Sequence, residues 1–89
     1  MNPEPPLQKL QVDRSLDLRG VERAEGYHKA RALLVSMEEN QILELYLDEG
    51  DALRSTPFGL RAEGHEILVS EPAKDGVRLL VRKRAPIAT

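Results

Sequence analysis

The chain has no cysteine and no tryptophan, and Tyr27, Tyr46 and Phe58 are its only aromatic residues. Without cysteine there is no disulfide, no thiol relay and no thiolate-ligated zinc. With so few rings, a core has to be assembled from Leu, Val, Ile, Ala and Met. An excess of one charge is also lacking: 13 Lys and Arg stand against 15 Asp and Glu, and the two signs are interspersed. No global field therefore draws the chain toward nucleic acid or an anionic membrane. No long apolar run is present either. The opening Met1-Asn2-Pro3-Glu4-Pro5-Pro6 carries a charge and three prolines and reads as neither a signal peptide nor a membrane span, so a cytoplasmic location is expected. His28 and His65 have no neighbour at metal-ligand spacing, and Asp48, Glu49 and Asp51 lack the distal glutamate of a calcium loop. No cofactor or metal is expected. The serines lack a positioned base, and no glycine-rich phosphate loop occurs.

What is present fits one small domain of 89 residues with tails: a mobile Pro-rich segment over 1–10, a folded unit over 11–84 and a short tail over 85–89. Leu16 and Leu18 alternate with polar neighbours, which predicts a strand over about Arg14–Leu18, and Gly20 can turn the chain behind it. From Tyr27 the period lengthens. Tyr27, Ala30, Leu33, Leu34 and Met37 share a helical face that ends near Glu38-Glu39-Asn40, with Asn40 as a left-handed cap. Gln41–Asp48 alternates again, with Leu43, Leu45 and Leu47 on one side. Glu49-Gly50-Asp51 reads as a turn and Ala52–Arg54 as a single helical turn. Thr56 before Pro57 predicts a capped helix to Glu63 that stops at Gly64 and gives Phe58, Leu60 or Ala62 to the core. Gly59 weakens this helix. His65–Glu71 and Gly76–Arg82 form a hairpin closed by Pro72–Gly76. The order β-α-β-α-β-β predicts an α+β fold, a two-layer α/β sandwich with two helices on one face of a four-stranded mixed sheet.

Three short motifs go further. Leu16-Asp17-Leu18-Arg19-Gly20, then Lys29-Ala30-Arg31, then Gly64-His65-Glu66-Ile67-Leu68 resemble the TusA/SirA sulfur-carrier family over roughly residues 14 to 84. The resemblance implies the same sandwich. In that family a Cys-Pro-x-Pro motif follows the Gly, and its cysteine accepts and donates persulfide sulfur. This chain has Arg23 at the cysteine position, Ala24 at the first proline and Gly26 at the second. A guanidinium is neither a nucleophile nor a sulfur carrier. No catalytic residue is therefore expected, and the sulfurtransferase activity that the resemblance implies has no acceptor atom here.

The candidate binding residues are basic. Arg23 sits between Glu22 and Glu25 at the mouth of the first helix, where backbone N–H groups favour an anion, although the two acids occupy the same field and can themselves complement the dipole. The bland alternative is a solvated loop arginine. Lys29 and Arg31, with Arg19 and Arg61, could form a basic rim around that mouth, or could be exposed charges that keep a helix face wet. The resemblance implies that Arg31 lies where relatives dock onto acidic partner surfaces. His65 reads as structural, holding a hydrogen bond across a turn. Arg82-Lys83-Arg84 reads as a solvated strand end rather than a nucleic-acid contact. Together these features predict a protein-binding or regulatory module without intrinsic persulfide transfer, with a protein partner and no membrane; the oligomeric state is open. The alternatives are an auxiliary scaffold in sulfur transfer and, on fold analogy alone, a nucleic-acid-binding module.

Overall fold

The computed structural model describes residues 11–50 and 56–84. Its elements are β1 (Arg14–Asp17), α1 (Arg23–Ser36), β2 (Ile42–Leu47), α2 (Thr56–Ala62), β3 (Glu66–Ala73) and β4 (Gly76–Arg82). The tails predicted over 1–10 and 85–89 and the helical turn predicted over Ala52–Arg54 lie outside the described residues. The alternating leucines of β2 set the middle of the sheet, since Leu43, Leu45 and Leu47 expose no surface at all. β4 runs antiparallel to β2 and places Val81, Leu79 and Val77 opposite them. β1 lies parallel on the other side of β2, and β3 pairs with the far edge of β4, giving a four-stranded mixed sheet of order β1-β2-β4-β3. A parallel neighbour requires a crossover, and α1 supplies it. Ala30 and Leu34 of α1 and Leu60 of α2 join the leucines in one cluster. The fold is α+β, with both helices on one side of the sheet.

α1 keeps the predicted inward face: Ala30, Leu34 and Met37 are buried, with Tyr27 and Leu33 half-buried beside them. It begins four positions before Tyr27, at Arg23, because Gly26 continues the Ala30–Leu34 line inward and lies over Leu18 and Val21. It also ends sooner than predicted, at Ser36, capped by the extended Met37. Asn40 does adopt φ 76°, but in the turn that follows the helix, where its N–H donates to Lys83 O at 2.8 Å. Glu49 and Gly50 are helical rather than part of a turn.

At the end of α2, Gly64 takes φ 95° and donates to Arg61 O at 2.9 Å, while His65 N donates to Leu60 O at 3.1 Å. This paired arrangement satisfies the last carbonyls and stops the helix where the sequence predicts. Of the three apolar residues offered to the core, only Leu60 enters it. Phe58 is 71% exposed and Ala62 is exposed, because the inward line of this helix is Thr56, Pro57 and Leu60. β3 is longer than predicted and runs through Pro72, which an edge strand tolerates because one side of its ladder is unused. The hairpin turn is therefore Lys74-Asp75, with Asp75 at φ 60°.

The face of the sheet turned away from the helices is covered by a polar ladder across all four strands. Glu44 on β2 accepts from Ser15 Oγ at 2.8 Å, Arg78 Nε at 2.6 Å and Tyr46 OH at 3.2 Å. Arg78 then reaches Glu71 on β3 at 2.9 Å. Burial alone raises the Glu44 pKa, but these hydrogen bonds and the Arg78 charge together outweigh it and hold the carboxyl below its usual value.

Candidate binding cleft at the mouth of α1

The residue before α1 closes its own helix end. Glu22 turns its carboxylate back to accept from the N–H groups of Ala24 and Glu25, each at 3.2 Å. A helix N-terminus leaves such donors without partners and attracts negative charge; here the chain provides that charge itself. Glu22 thus occupies the seat that a free anion would take. The other first-turn acid, Glu25, pairs with Lys29 one turn on at 3.3 Å.

Arg23 is exposed and lines an open cleft of about 570 Å³ together with Glu22, Ala24, Tyr27 and Gly59. Tyr27 joins the two helices there. Its ring lies so close to α2 that a Cβ on Gly59 would stand 2.5 Å from Cε1. The glycine that weakens α2 as a helix is what admits the ring.

Glu63, just beyond α2, fixes the other end of Tyr27. The phenol donates to Glu63 Oε2, and Arg31 Nε, one turn along α1, reaches Oε1 at 2.9 Å and Oε2 at 3.0 Å. The phenol's bond to this carboxylate, reinforced by burial, raises the Tyr27 pKa. The same bond, with the help of Arg31 and against the effect of burial, lowers that of Glu63. Sequence reasoning did not single out Glu63. Its only local signal was its place before the helix-stopping Gly64, and its partners are 32 and 36 positions away.

The basic residues predicted to ring this mouth are not gathered into one rim. Arg19 folds back on Asp17, with Nη2 at 2.7 Å from Oδ2 and Nε at 2.9 Å from Oδ1. It also donates to Lys74 O at 2.6 Å and lies 5.1 Å over the Tyr46 ring, on the side of the sheet away from the helices. These bonds from Arg19 pull the Asp17 carboxyl down to about 2. Lys29 is held by Glu25 and Arg31 by Glu63. Arg61 stands exposed in the last turn of α2. Arg23 is the predicted residue that lines the cleft.

His28 is exposed, its ring tilted against Tyr27 at 5.8 Å. His65 makes a hydrogen bond not across a turn, as expected, but to the segment just past β4: Nδ1 accepts from Arg84 N at 3.1 Å. Arg82-Lys83-Arg84 is not a solvated end, since Arg82 reaches Glu66 at 3.5 Å, Lys83 Nζ donates to Leu34 O at 2.6 Å, and Arg84 reaches Asn40 at 3.1 Å. Asp48 caps a loop by accepting from Gly20 N at 2.9 Å. Among the described residues no helix is long and apolar enough to cross a membrane, and no group of three His, Asp or Glu is placed to hold a metal. No family model matches the chain, and no curated protein matches it.

Proposed function

We propose that this chain is a cysteine-less relative of the TusA/SirA sulfur carriers that acts as a protein-binding or regulatory module through the mouth of α1, without persulfide transfer of its own. The supporting observation is the combination at Arg23: a concave surface at the position the resemblance gives to the nucleophile, and no thiol anywhere in the sequence. A persulfide relay needs a thiolate that attacks a donor sulfur and carries it as a new S–S bond. Arginine offers neither the lone pair nor the bond. It does offer a fixed fork of N–H donors suited to a carboxylate.

The partner this cleft fits presents an acidic group to Arg23 and a flat apolar group to Ala24 and Tyr27. Because Glu22 already fills the helix N-terminus, binding rests on side chains rather than on the helix dipole. The test is Arg23→Glu, an exposed change that leaves Glu22 and Tyr27 in place. A partner retained from the native host by the unaltered protein and lost by Arg23→Glu, with the fold unchanged, supports the reading. Equal retention by both removes Arg23 from the interface and with it the reading.

A further inference from the structure

A second cleft, of about 410 Å³, opens between α1, the end of α2 and the end of β4, and Arg31, Glu63, His65, Lys83 and Arg84 line it together with Val35. Its volume is in the range of small-molecule sites. Its charge is opposite to that of the whole chain, which carries −2. Among the described residues three cations face a single carboxylate, Glu63, and Arg31 already holds that carboxylate.

The other two cations are held by neutral oxygens. Lys83 Nζ donates to Leu34 O at 2.6 Å and Met37 O at 3.1 Å, while Arg84 Nη1 donates to Asn40 Oδ1 at 3.1 Å. Such bonds fix the head groups in place without cancelling a full charge, and each head group keeps further N–H donors. Lys83 also completes the carbonyl end of α1, which explains that residue on its own. Capping does not explain why Arg31 and Arg84 converge on the same opening. His65 adds a neutral donor: its Nδ1 accepts from Arg84 N, so the ring proton belongs on Nε2. Burial, followed by the nearby Lys83 charge, disfavours protonation of that ring. One wall is apolar, since Val35 is 65% exposed there.

We propose that this cleft binds a small phosphomonoester dianion, with the phosphate between Arg31, Lys83, Arg84 and His65 Nε2 and an apolar substituent against Val35. A tetrahedral dianion matches an excess of positive charge and supplies several acceptors to planar guanidinium forks. The site is separate from the mouth of α1, which is lined by other residues.

The test is amide NMR titration of the full chain at low salt with phenyl phosphate, inorganic phosphate and phenol. Phenyl phosphate is expected to give saturable shifts at Glu63, His65, Lys83 and Arg84, with inorganic phosphate weaker and phenol inert. Arg84→Gln removes the charge but leaves in place the backbone N–H that His65 accepts; it is expected to weaken phenyl phosphate about tenfold, the loss of one charged hydrogen bond. The proposal is overturned if nothing saturates, if shifts appear at Arg23–Tyr27 instead, if both phosphates bind equally, or if Arg84→Gln and Arg31→Gln each bind as the unaltered protein does.

Discussion

Replacing Gly59 by alanine sets two effects of known sign against each other. In a helix, alanine is favoured over glycine by about 1 kcal/mol, so on propensity alone Gly59→Ala stabilises α2. The added Cβ, however, stands 2.5 Å from Tyr27 Cε1 and 3.1 Å from Cδ1 and Cζ, well inside contact distance. Relief requires the ring to move, and the ring is not free: its hydroxyl is bound to Glu63, which Arg31 also holds. Overpacking costs about 1–3 kcal/mol, and partial loss of a hydrogen bond to a charged acceptor adds about 1 kcal/mol. The net expectation is a destabilisation of about 1–3 kcal/mol, read in urea unfolding as a lower midpoint at unchanged slope. The decisive control is Tyr27→Ala, which empties the space. In that background Gly59→Ala should stabilise by about 1 kcal/mol, so the substitution changes sign and the cycle reports a coupling of about 2–4 kcal/mol. If Gly59→Ala stabilises the otherwise unaltered protein, the ring yields freely and the account of the interhelical joint is wrong.

Other glycines sort by what surrounds them. Gly76→Ala would bring a Cβ within 2.1 Å of the Leu47 carbonyl oxygen, a backbone atom that cannot step aside, so a loss of about 3 kcal/mol or more is expected in the same unfolding assay. Gly26→Ala meets Leu18 and Val21 at 3.7 Å or beyond and gains helix propensity, so the midpoint should rise by the equivalent of about 0.5–1 kcal/mol. Arg78→Ala leaves Glu44 mostly buried with its strongest partner gone, and about 2 kcal/mol should be lost at neutral pH. Stability should also fall with acid: the His65 pKa is lowered on folding, so the unfolded chain takes up that proton first below about pH 6.5. Glu44, Glu63 and Asp17 are lowered likewise, so their contribution is complete above the ordinary carboxylate range and disappears as pH falls through their folded values, toward about 2 for Asp17. Urea midpoints across pH test this; a midpoint unchanged from neutral pH to pH 3 would refute it.

Much of the sheet could be read directly because one signal, alternation, governed it. The Leu43-Leu45-Leu47 set and the Gly76–Arg82 strand behave as written, since burying one face of a pleated strand leaves little choice of register. The start of α1 was less legible. Arg23-Ala24-Glu25-Gly26 has no apolar period, and Glu22 acts as a cap through a longer side chain than the usual Ser, Thr or Asp. Asn40 is left-handed as its residue type suggests, but it serves a turn four residues beyond the end of the helix rather than the helix cap. Apolar character alone offers Phe58, Leu60 or Ala62 to the core, whereas position on α2 decides the matter in favour of Leu60. The site shows the same limit. The place of Arg23 at a helix mouth is legible, but the dispersal of Arg19, Lys29 and Arg31 among Asp17, Glu25 and Glu63 depends on pairings that the linear sequence does not announce. Glu63 and the Lys83–Arg84 cluster emerged only once distant segments met.

The most direct test of the central claim is the intact mass of the chain after incubation with a cysteine desulfurase, cysteine and a pyridoxal cofactor, taken without reductant. The account predicts the unmodified mass, because no side chain can hold a sulfane sulfur. A stable sulfur adduct on this polypeptide would contradict it.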